Sequence, residues 1–110
     1  MSTKTARQLI EEMPETFQPE RAGRAAAVVQ FHISGEDGGE WFVTIKNETC
    51  TVTQGVTESA DATIRVDSDD YVALSSGQLS STKAFMSGKV KATGNVALLR
   101  RMDRWFIRRP

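Results

Sequence analysis

The chain has 110 residues, 14 of them basic and 14 acidic, so its formal net charge is zero; 39% are apolar and 25% charged. One hydrophobic core fits that length, and the apolar content suits a folded chain rather than disorder. The charge balance argues against a nucleic-acid binder, which carries a basic excess, and no apolar run approaches the roughly 20 residues that cross a bilayer.

A single cysteine, Cys50, rules out an intrachain disulfide. With one histidine, His32, any metal would have to be held mainly by carboxylates. The opening stretch is polar and amphipathic, unlike a secretory signal, so the expected location is cytoplasmic.

Ser2 or Thr3 can cap a first helix in which Ala6, Leu9, Ile10 and Met13 form one stripe, with Pro14 ending it. Residues 14–24 read as a polar connection. A strand follows, with Val29, Phe31 and Ile33 on one face and Val28, Gln30 and His32 on the other. The glycine-rich run 35–39 turns the chain into a second strand. There Trp41, Val43 and Ile45 alternate with Phe42, Thr44 and Lys46. Asn47-Glu48 makes a tight turn into a third, β-branched strand, completing an antiparallel meander.

After a loop at 55–60, Ala62, Ile64 and Val66 alternate in a fourth strand. Asp67, Asp69 and Asp70 open a helix, where carboxylates accept from free N–H groups and suit the dipole. A short helix from about Thr82 to Ser87 closes at Gly88, then comes a brief fifth strand, and Asn95 can cap a last helix. In that helix Leu98, Leu99, Met102, Trp105 and Phe106 share an arc of roughly 120°. Arg100, Arg101, Arg104 and Arg108 share the opposite arc. The order predicts an α+β fold: one five-stranded, mainly antiparallel sheet with helices packed on one face.

The second half carries a distinctive run. It reads Asp61-Ala62-Thr63-Ile64-Arg65-Val66-Asp67, then Asp70, then Leu74-Ser75-Ser76-Gly77-Gln78-Leu79. Ala84-Phe85-Met86-Ser87-Gly88-Lys89-Val90-Lys91 and Gly94-Asn95 precede the apolar helix. This pattern resembles the sterol-carrier-protein-2 (SCP2) family; the first half agrees in element order more than in residue identity. The resemblance spans residues 1–110 as a single lipid-binding domain. It implies an apolar tunnel between sheet and helices, with fatty acid, acyl-CoA, sterol or phospholipid as ligand, no cofactor and no catalysis by the domain itself.

On that reading the tunnel candidates are Trp41, Val43, Val72, Leu79, Phe85, Met86, Leu98, Leu99, Met102, Trp105 and Phe106. An apolar stripe on a helix is also what ordinary core packing requires. Arg100, Arg101, Arg104 and Arg108 are candidates for docking on an anionic membrane, against the plainer reading of a solvated face. The acidic run at 67–70 reads as a helix cap, and Cys50 as an inert thiol. His32 and Cys50 are the only obvious base and nucleophile pair, and nothing in their spacing joins them. The expected partner is a lipid or other apolar small molecule, with no nucleic acid, carried by a monomer or weak homodimer. The rival expectation is a protein-interaction or dimerisation module whose tunnel its own side chains fill.

Overall fold

In the computed structural model, which describes residues 4–106, Thr5 rather than an earlier hydroxyl starts the first helix. Thr5 Oγ1 accepts from the Gln8 N–H, and the Gln8 side chain accepts from the Thr5 N–H, closing a capping box. That helix, α1, covers Ala6–Glu11. The expected polar connection holds two further helical turns, α2 (Met13–Thr16) and α3 (Pro19–Ala22), each with a proline in its first positions. Proline lacks an N–H that the first helical turn leaves unused, so Pro14 and Pro19 start turns here.

The strands follow the predicted order. They are β1 (Ala27–Ser34), β2 (Gly39–Lys46), β3 (Thr49–Gln54), β4 (Ala62–Asp67) and β5 (Val90–Gly94). Between the last two lie α4 (Ser68–Ser76) and α5 (Ser81–Met86), and α6 (Val96–Asp103) closes the described chain. Asn47 and Glu48 both take positive φ, 51° and 61°, as the tight turn between β2 and β3 requires. Asp67 accepts from the Asp69 N–H and caps α4; Asn95 accepts from the Leu98 N–H and caps α6.

The five strands form one sheet in the order β3-β2-β1-β4-β5. Every neighbouring pair is antiparallel except β1 and β4, which run parallel. Register aligns Ala27 with Ile45, Val29 with Val43 and Phe31 with Trp41, so the apolar residues of β1 and β2 share one face. On β4, Ala62, Ile64 and Val66 pair with Val29, Phe31 and Ile33 and continue that face.

The helices cover it. Ala6 and Ile10 of α1, Ala22 of α3, and Leu98 and Met102 of α6 join the sheet residues and Trp105 in one contiguous buried cluster. Tyr71 of α4 meets Phe31 edge-on at 6.2 Å, and Phe17 packs against Phe106 at 5.5 Å. Each fully buried Ile or Val here contributes about 1.5–3 kcal/mol.

Parallel pairing of β1 and β4 forces the chain to cross the sheet after β3. Residues 55–61 make that crossing over the face away from the helices, where Gln30 meets them. Gln30 is 2% exposed. Its amide donates to Trp41 O and Gly55 O and accepts from the Thr57 N–H. Gly94, at φ 84°, brings β5 against the start of β4. A Cβ there would lie 2.6 Å from Asp61 O, which also accepts from the Asn95 N–H.

Candidate ligand-binding site

Of the eleven tunnel candidates, five sit in the buried cluster between sheet and helices. Trp41 and Val43 come from β2, Leu98 and Met102 from α6, and Trp105 from the turn after it. All are at most 6% exposed. Val72, Leu99 and Phe106 are half-buried and pack against that cluster. Leu79 is half-buried in the connection between α4 and α5.

Phe85 and Met86 stand apart. On α5 they are 49% and 81% exposed, the largest apolar side chains at the described surface together with Val56. Helix α5 is six residues long, capped by Ser80, with only Ala84 buried.

Helix α6 ends at Asp103, earlier than the arc of apolar residues suggests, and Arg104-Trp105 turn out of it. Trp105 nonetheless points into the core. Phe106 bridges to Phe17, and Trp105 O accepts from the Gln18 N–H at 2.7 Å. The polar arc holds Arg100, Arg101 and Arg104 exposed; Arg108 lies outside the described residues.

Two open depressions flank the helical layer. One, of about 240 Å³, is lined by Lys4, Thr5, Ala6, Glu36, Asp37, Asp69 and Val72. The other, of about 570 Å³, lies between α3 and α6 and is lined by Arg21, Ala22, Ala25, Arg101, Arg104 and Trp105. The sequence reading had no access to Arg21 or Ala25 as neighbours of α6. Their proximity depends on the docking of α3, and no local pattern announces it.

One buried polar atom in the cluster is unsatisfied. The Trp41 indole N–H has no hydrogen-bond partner among the described residues, while the Arg7 guanidinium stands 5.5 Å over its ring. An orphaned donor in an apolar interior costs about 1–3 kcal/mol.

The remaining candidates take structural places. His32 lies opposite Glu40 in the β1–β2 register, and its Nδ1 is 2.7 Å from the Glu40 carboxylate. Cys50 is half-buried on β3, where burial pushes its thiol up from 9.0 to about 11 and keeps it protonated near neutrality. Burial also pushes the Tyr71 phenol upward, with a hydrogen bond to the Ser75 side chain opposing the shift. Among the described residues no three His, Cys, Asp or Glu side chains converge on a metal-sized site, and no helix is long and apolar enough to cross a membrane.

A five-stranded mixed sheet covered by short helices, with an apolar layer between, makes an α+β domain. The sequence model of the SCP-2 sterol transfer family matches residues 6–106, and this chain belongs to that family. Sterol carrier protein 2 like 2 of Aedes aegypti superposes with a TM-score of 0.73 at 26% identity, covering 90% of this chain and 91% of that one. The solution structure of its palmitated form gives 0.74 at 28% identity, covering 94% and 93%. An inverting sec-alkylsulfatase of Pseudomonas shares the fold at a TM-score of 0.81 and 16% identity, over 94% of this chain and 16% of the enzyme.

Among curated relatives, the hydroxysteroid dehydrogenase-like protein 2 of Bos taurus is 43% identical over 79 residues, 71% of this chain. The mouse protein is 44% identical over the same length. The chain corresponds to 19% of the bovine and 16% of the murine protein.

Proposed function

We propose that residues 1–110 act as one lipid-carrying unit. It holds a single apolar chain, a fatty acid or its thioester, between the sheet and the helical layer, and does no chemistry on it. The observation that carries this reading is the contiguous apolar cluster joining Trp41 and Val43 to Leu98, Met102 and Trp105. Part of its wall is a helix of eight residues near the end of the described chain. Local opening of this helix, which uncovers Leu98 and Met102, would admit the chain. The palmitated Aedes relative supports an apolar chain as the ligand class.

Energetics permit the reading. Each methylene removed from water is worth about 0.8 kcal/mol, so about ten supply roughly 8 kcal/mol before association costs. About fifteen methylenes, the length of a palmitoyl chain, supply roughly 12 kcal/mol, which after an association cost of about 4 kcal/mol leaves micromolar binding with loose selectivity.

Native mass spectrometry of the freshly purified protein, followed by organic extraction, tests the reading directly. The expected result is a stoichiometric lipid. A thermal melt in a hundredfold excess of ligand over Kd should rise by about 10 °C or more, by mass action alone. A clean unliganded mass with no shift across fatty acids, acyl-CoA and sterols would overturn it.

The exposed Phe85 and Met86 favour a second reading, a protein-interaction module whose core is filled by its own side chains. A concentration-dependent dimer without bound lipid would select that alternative. Cytoplasmic action as a monomer or weak homodimer belongs to the first.

A further inference from the structure

The cleft between α3 and α6 is lined by three arginines from segments about 80 residues apart. Arg21 comes from α3, Arg101 from the last turn of α6, and Arg104 from the residue that follows it. The two walls are stitched by backbone. The Gln18 N–H donates to Trp105 O at 2.7 Å, Phe17 bridges to Phe106, and Arg21 Nη1 donates to Arg104 O at 3.5 Å. Arg21 thus reaches the far wall of the cleft.

No carboxylate is among the described residues that line the cleft. Three cations gathered in one cleft without a carboxylate repel one another, and an incoming anion relieves that repulsion. The negative end of α6 accounts for basic residues in its last turn. It does not account for Arg21, which lies on a separate helix.

The floor is apolar. Ala22 and Trp105 line the cleft and also belong to the buried cluster, with 7% and 6% of their surfaces exposed. A cationic rim thus stands above a wall shared with the core. About 570 Å³ gives room for a head group, and guanidinium forks match carboxylate and phosphate oxygens in pairs.

We propose that this cleft seats the anionic head, a carboxylate or a phosphate monoester, of the carried amphiphile, whose chain passes Trp105 into the apolar layer. The proposal rests on the lipid-carrying reading above and adds the head-group chemistry and the port of entry.

The test compares a fluorescent polyene fatty acid with its methyl ester on the wild-type chain and on the R21Q/R101Q/R104Q variant. All three arginines are exposed, and ester binding reports whether the variant still folds. The acid should bind the variant about tenfold or more weakly and lose affinity with salt, while the ester changes in neither respect. Lysophosphatidate in the same assay identifies the head: a larger loss than for the acid points to phosphate, a smaller one to carboxylate, and both support the cleft. Parallel changes for acid and ester, or none, would overturn the cleft and leave the carrier standing. Stabilisation by inorganic phosphate alone, with amphiphile binding insensitive to the variant, would also overturn it. Binding of neither probe to the wild-type chain would remove both readings.

Discussion

Gln30 shows how one side chain can decide a connection. In an alternating strand it belongs to the wetter face, beside Val28 and His32, and its sequence neighbours give no hint of burial. The crossover 55–61 covers it, so its amide ties two backbone segments to β1: β2 at Trp41 and the crossover at Gly55 and Thr57. Gln30→Leu keeps the size and orphans those groups; urea unfolding should show a loss of about 2–4 kcal/mol. Hydrogen exchange at the Thr57 amide should rise at the same time, and an unchanged midpoint would refute the clamp. His32 teaches the same lesson in reverse. Glu36 and Asp37 are nearer to it in sequence, but the hairpin register sets Glu40 directly across. Both partners of that pair were legible as strand residues; their pairing needed the register.

At the scale of elements, the strands, the hairpin turns and the helices with acidic or asparagine caps could be read from alternation and capping chemistry. Two things could not. Pro14 read as a stop and Pro19 as part of a polar connection, whereas each begins a helical turn, because proline is unfavourable inside a helix and well suited to its start. Strand order was equally hidden, since nothing local tells β4 to lie parallel to β1. The candidate site divided along the same line. The stripe Leu98, Met102 and Trp105 was visible in the periodicity, but the cleft beside it requires α3 to dock. Helix α5 carries the clearest expectation at this scale. Phe85 and Met86 face outward, so the double change Phe85→Ser and Met86→Ser should leave the unliganded melting temperature within about 2–3 °C. If α5 folds over the carried chain, the ligand-induced rise should shrink in the same variant. A full rise would place these residues outside the ligand's reach.

Across the whole molecule the zero net charge hides a polarity. Arg21, Arg101 and Arg104 border the cleft near the start of β1, while Glu36, Asp37 and Asp69, against the single cation Lys4, rim the depression beyond its end. The eight residues of β1, roughly 23 Å from end to end, run between these regions. Such a molecule should meet an anionic bilayer basic end first, with Arg100 adding to that end. Trp105 is buried, so the attraction would be electrostatic rather than insertion. Co-sedimentation with phosphatidylglycerol vesicles at about 0.05 M salt should fall roughly a hundredfold in R100Q/R101Q/R104Q, from about 1 kcal/mol per arginine. Equal retention by zwitterionic vesicles would overturn it.

The parallel seam between β1 and β4 also sets an order of assembly. The first three strands can zip through short turns as soon as residue 54 has emerged. Until residues 62–67 arrive, though, β1 is a border strand with a row of unmet N–H and C=O groups beside Val29, Phe31 and Ile33. The half-made protein is therefore adhesive at the place that becomes the centre of the finished sheet, and the arrival of β4 turns that hazard into the seam joining its two halves.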